Sequence, residues 1–166
     1  MNIKDKLQSE VKEALKSGNS HKRTLLGMVL SSIKNRELEK RGKIIKTEPD
    51  MAKDEAEEQS KLNDEEVIEV LSSEIKKRKD AMDQFEKGGR PELAEGERKE
   101  AEMLMVYMPE QMSEDEIRTE VKKTIEETGA KDVKEMGKVI GAIMAKIKGK
   151  ADGQTVNRLV KEELTK

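Results

Sequence analysis

Cysteine and tryptophan are absent from the sequence, and histidine, phenylalanine and tyrosine occur once each, as His21, Phe85 and Tyr107. Without Cys there is no disulfide framework and no thiolate nucleophile, and one His cannot build a nitrogen-rich metal site. No Glu-x-x-His pair exists for a di-metal bundle, and no Ser is accompanied by a His base with a plausible partner. The sequence therefore predicts no catalytic residues, no metal site and no cofactor. Two aromatic rings are also too few for the stacking platforms on which single-stranded nucleic acids lie. No run approaches the roughly 18 apolar residues of a membrane span. The start, Met1-Asn2-Ile3-Lys4-Asp5-Lys6, has neither a signal core nor a myristoylation glycine. A cytoplasmic protein without a membrane partner is expected.

What the sequence does have is charge, 42% of residues against 33% hydrophobic. Such a balance gives disorder when apolar residues are scattered, but here they recur at helical spacing, so each helix can bury one narrow stripe. The formal net charge of -2 hides a segregation of sign. Residues 20–46 sum to +6, 47–66 to -7, 86–128 to -6 and 129–166 to +4. Two basic regions can attract a polyanion in spite of the acidic total, although a solvated helical surface would also look like this.

Caps and breakers predict an all-α fold with seven helices. The first follows Asn2, with Ile3, Leu7, Val11 and Leu15 as its apolar stripe, and stops at Gly18. The second runs from Ser20 to Arg41 with Gly42 as its terminator. Residues 43–63 hold Pro49 and no sustained apolar period, which reads as a mobile loop with room for local helix. Asn63 and Glu66 form a capping signal for a third helix that reaches about Lys87. Gly88-Gly89 breaks it, and Pro91 opens a fourth that buries Leu93, Ala101 and Leu104 and ends near Pro109. Ser113 with Glu116, and Asp132 with Glu135, start the fifth and sixth after that break, and Asp152 caps the last. The organisation expected is an N-terminal helical domain over residues 1–108 and a small C-terminal three-helix domain over 109–166.

Several constellations could carry function. In the third helix Arg78 falls within the stripe of Val67, Leu71, Ile75, Met82 and Phe85, so it faces inward and should pair with a carboxylate between helices. In the sixth, Met136, Ile140, Ile143 and Ile147 form the core face, while Gly137, Gly141 and Ala145 fall on an arc roughly 130° away among Lys134, Lys138 and Lys148. A helix-interior Gly costs about 1 kcal/mol relative to Ala, so two on one bare, basic face need a reason. Close approach of a sugar-phosphate backbone is one, and packing against another protein helix is the other. The turn that follows adds Lys146, Lys148 and Lys150 before a helix N-terminus, a favourable setting for phosphate. It is no nucleotide P-loop, because Met144 and Ala151 occupy positions that require Gly and Ser or Thr. The methionines at 103, 105, 108 and 112 could offer an adaptable partner surface or fill a junction.

The segment Met136-Gly137-Lys138-Val139, then Lys148-Gly149-Lys150-Ala151-Asp152-Gly153 and Val156-Asn157-Arg158-Leu159-Val160, resembles the tail domain of the B subunit of the glutamyl/aspartyl-tRNA amidotransferase. Upstream, Asp64-Glu65-Glu66-Val67, Lys77-Arg78-Lys79, Gln84-Phe85-Glu86-Lys87-Gly88-Gly89-Arg90 and Tyr107-Met108-Pro109-Glu110-Gln111 are similar, in order, to motifs of its free-standing relatives, the YqeY-like proteins. Gly27 departs from the pattern, standing where an Arg is expected, as does Gly96 in place of a longer polar residue. The resemblance implies a helical domain joined to a small helical tail similar to the part of the amidotransferase that contacts tRNA, and with the basic face and turn it makes Lys134, Gly137, Lys138, Gly141, Lys146, Lys148, Lys150 and Arg158 the candidate nucleic-acid-binding set. It carries over the tail alone, not the amidase or kinase-like domain. The implied role is that of a tRNA-binding or amidotransferase-like accessory of the translation machinery, with any glutamine-dependent carbon–nitrogen ligation borrowed from a partner. The alternatives are a protein-interaction adaptor using the glycine and methionine surfaces, and a component of such a ligase.

Overall fold

A computed structural model describes all of residues 1–166, which form eight α-helices, one 3-10 turn and no strand. Two compact units divide the chain, Met1–Tyr107 and Met108–Lys166.

The first unit holds α1 (Ile3–Lys16), α2 (Ser20–Thr47), α3 (Lys53–Ser60), α4 (Asp64–Lys87) and α5 (Pro91–Met105). Its starts follow the sequence: Asn2 accepts from the amide of Asp5, and Asn63 and Glu66 close a reciprocal capping box. Leu7, Leu25, Leu26, Val29, Ile33, Val67, Leu71 and Leu104 are fully buried, so one row of aliphatic side chains per helix makes the core.

Four expectations change. Leu15 is 60% exposed and Ala14 is buried in its place, because a four-residue step drifts by about 40° while a seven-residue step from Leu7 returns within about 20°. The same geometry buries Ala94 and leaves Leu93 41% exposed, which keeps α5 close to α4. Gly42 does not end α2, since a terminating Gly adopts positive φ and Gly42 is not among the glycines that do. The segment read as a mobile loop, residues 43–63, instead contains the end of α2 and all of α3. Ala56 and Ser60 are the residues α3 buries, too few to leave an apolar period, and an Arg41–Glu57 ion pair at 3.2 Å ties it to α2.

Polar side chains close this thin core. Arg78 is buried as expected: its Nη1 donates to the Glu74 carbonyl at 2.9 Å and to Glu74 Oε2 at 3.0 Å, and its Nε donates to Glu100 Oε2 on α5 at 3.0 Å. Glu74 Oε1 also accepts from Lys77 Nζ at 2.8 Å and from Ser32 Oγ on α2 at 3.1 Å. A second knot centres on buried Glu37 of α2, which accepts from Lys4 Nζ at 2.6 Å and from the amide of Leu62 at 3.2 Å. At the end of α5, Tyr107 donates its hydroxyl to Glu10 at 2.7 Å beside Lys22, with Lys6 over its ring. Burial pushes the Tyr107 phenol well above its usual range, and its hydrogen bond to Glu10 adds to the shift.

The second unit holds α6 (Glu114–Thr128), the turn Val133–Glu135, α7 (Met136–Lys146) and α8 (Gly153–Leu164). Ser113 and Glu116 form the capping box of α6, and Gly129 ends it in the left-handed region at φ 68°. Ile117, Val121, Ala130, Val139, Ile143, Ile147, Val156, Leu159 and Val160 make one core, with Met112, Met136 and Ile140 packed against it. On α7, Val139 thus takes a central place, while Met136 and Ile140 flank it. Arg118 of α6 reaches Glu162 and Glu163 of α8 at 2.8 and 2.6 Å.

Removing one partner of a buried ion pair leaves the other uncompensated, so Arg78→Ala should cost about 3–5 kcal/mol in urea unfolding. Lys77→Ala, whose ammonium is exposed, should cost under about 1 kcal/mol. Burial raises the carboxyls of Glu10, Glu37 and Glu74, but hydrogen bonds from Lys22 and Tyr107, from Lys4 and Leu62, and from Lys77, Arg78 and Ser32 outweigh it and hold all three below 4.5. Depressed native values mean that this stability is complete above the unfolded pKa and lost as pH falls through the folded ones. Urea midpoints should therefore be flat from pH 7 to about 5 and fall steeply below about 4.5.

Candidate nucleic-acid interface

Positions that share a face of α7 are separated by the 3.6-residue turn into a core side and a bare side. Val139, Ile143 and Ile147 take the first. Gly137, Gly141 and Ala145 are exposed on the second, and a Cβ built on Gly137 or Gly141 would meet nothing within 4 Å. Neither glycine has positive φ, so neither is required by the backbone. The small residues here do not serve packing within the unit.

The cations proposed from sequence divide into two groups. Lys134, on the turn before α7, and Lys138 are exposed beside the bare face, and Lys138 Nζ donates to the Thr128 carbonyl at 3.1 Å. Lys148 and Lys150 are exposed in the turn between α7 and α8, where Gly149 has a φ of 69° that an L side chain would strain to adopt. The turn is anchored at its base. Met112 donates its amide to the Lys150 carbonyl at 2.8 Å, and Gln111 Nε2 donates to the Gly149 carbonyl at 2.7 Å.

Lys146 and Arg158 lie elsewhere. Lys146, expected in the basic turn, points to α6, where it pairs with Glu127 and with Glu120 at 3.4 Å; the hydrogen bond to Glu127 raises its pKa. Arg158 is held by Glu114 at 2.7 Å and Glu162 at 3.0 Å, and the hydrogen bond to Glu114 raises its pKa as well. The partners of Lys146 all lie on the helix opposite, whereas for Arg158 one, Glu162, stands four residues on in α8 itself and the other, Glu114, opens α6. For Lys146 the signal was present in α6, where Glu120, Thr124 and Glu127 stand at helical spacing on one side.

What the arrangement offers is a helix whose backbone can be approached closely, bordered by the exposed Lys134 and Lys138. A phosphate chain satisfies both features, since it supplies charge and has no bulky group at its contact edge. Because no neighbour occupies the glycine face, Gly141→Ala should raise stability by about 0.5–1 kcal/mol, read as a higher thermal midpoint.

The chain matches none of the curated proteins with which it was compared. The model of the Yqey-like protein family matches residues 43–164, from the last turns of α2 to the final turn of α8. Most of the first unit and nearly all of the second thus fall within the match, and the chain belongs to the Yqey-like protein family.

Proposed function

We propose that the second unit holds the ribose-phosphate backbone of a folded RNA, a tRNA by the resemblance of its turn and last helices to the amidotransferase tail. The chain would then act as an accessory, with any amide transfer carried out by a partner. The observation that carries this reading is the exposed glycine face of α7 with Lys134 and Lys138 beside it, in a unit where Lys146 and Arg158 are already neutralised. The scarcity of aromatic rings supports backbone and shape recognition over base stacking.

Binding to tRNA as a function of salt tests it. Replacing Lys134, Lys138 and Lys150 together by Glu should weaken binding and flatten the log–log salt slope by about two units, at somewhat under one counterion per lost contact. Lys146→Glu should leave that slope nearly unchanged. Gly141→Leu adds no charge and should abolish tight binding through bulk on the bare face while the fold persists. Wild-type affinity for tRNA no better than for a polyanion of equal charge, with no effect of Gly141→Leu, removes the RNA reading. Loss of a protein contact on Gly141→Leu, with tRNA affinity negligible from the start, establishes an adaptor.

A further inference from the structure

In the first unit a groove separates α2 from the α4–α5 hairpin, running from Thr24 to Glu39, about 22 Å of helix. Its two stretches have volumes of about 800 and 420 Å³ and share Ser32, Glu74 and Lys77. Between Thr24 and Ser32 the α2 wall is low and needs few polar partners. Gly27 has open space where a Cβ would stand, Ser31 turns its hydroxyl back to the Gly27 carbonyl at 2.9 Å, and Ser32 gives its own to Glu74. Met28, 53% exposed, forms an apolar and adaptable lip.

The opposite wall and floor are charged and held in place. Five carboxylates and three cations line the groove, and with Lys77 and Arg78 paired to Glu74 and Glu100 the balance is Glu39, Glu69 and Glu97 against Arg36, a net of two negative charges. An excess of negative charge repels a phosphate chain and attracts a cation. Nucleic acid is thus the wrong occupant, in contrast to the basic face of α7. The residues of α2 that border the groove recur at three- and four-residue steps, so the wall is one helical ridge several turns long, a shape that a second helix fits by ridge-into-groove packing.

We infer that the groove docks an α-helix of another protein, its lysines or arginines meeting Glu97 and Glu39 and its small or apolar residues lying over Gly27 and Met28. The contact uses the helix-in-groove mode, with charge complementarity selecting the partner. It stands independently of the RNA reading, because its residues lie in the other unit.

The test is an NMR titration of the ¹⁵N-labelled full chain with an 18-residue amphipathic helical peptide of Ala, Leu and Lys, and with a twin carrying Glu for Lys. The basic peptide should shift the amides of Gly27, Ser31 and Ser73 saturably and bind at least about ten-fold tighter than the acidic twin. Gly27→Leu fills open space and favours helix, so the fold should hold while peptide affinity drops about ten-fold or more. Glu97→Lys, a change of charge at the groove wall, should weaken the basic peptide and strengthen the twin. Shifts spread over every acidic surface and unmoved by Gly27→Leu would overturn the proposal. So would a Gly27-dependent self-association, which makes the occupant a second copy, or displacement of the peptide by tRNA from the groove.

Discussion

A guanidinium inside an apolar helix stripe fixes the design of the first unit. Arg78 cannot be buried alone, so Glu74 must be buried with it, and Glu74 in turn needs Lys77 and Ser32 to complete its hydrogen bonds. Glu100 takes the remaining charge of Arg78 from α5. The demand of one charge therefore sets the relative placement of α2, α4 and α5. Aliphatic stripes one residue wide leave freedom to slide, and directional bonds remove it. No buried side-chain nitrogen or oxygen lacks a partner, which is the condition for such a network to contribute to a unique packing.

Helix starts were legible because capping is local. Asn2, Asn63, Ser113 and Asp152 each satisfy an orphan amide two or three residues on, and that chemistry is written in adjacent residues. Gly42 and α3 were not legible, since a glycine ends a helix only when its φ turns positive, and α3 is held by Ala56 and an ion pair to a distant Arg41. The glycine face of α7 followed from rotation per residue alone. The fate of Lys146 did not. It depends on Glu120 and Glu127 of a neighbouring helix, and only the packed unit shows that its charge is neutralised there. Glu37 escaped notice for the same reason, as its partners Lys4 and Leu62 are distant in sequence.

Sign segregation in the sequence survives folding as a division of labour within each unit. On the second unit, acidic α6 absorbs Lys146, while Lys134 and Lys138 stay beside the bare face of α7. On the first, the basic half of α2 is partly neutralised through Lys40 to Glu66 and Arg41 to Glu57, and the groove keeps an acidic excess. Helices with interior glycines and narrow apolar stripes contribute little stability by themselves. Ion pairs between helices compensate, at the cost of sensitivity to acid and, where exposed, to salt.

Tyr107 gives the chain an unusual optical property. With tryptophan absent and no other tyrosine, its phenol is the sole chromophore absorbing beyond the weak bands of Phe85. It sits on Glu10 at the meeting of α1 and the end of α5, beneath the ammonium of Lys6. Ultraviolet emission and near-ultraviolet dichroism from this protein therefore report one junction. The second unit, which contains neither ring, is dark at these wavelengths, and events on α7 leave no intrinsic signature there.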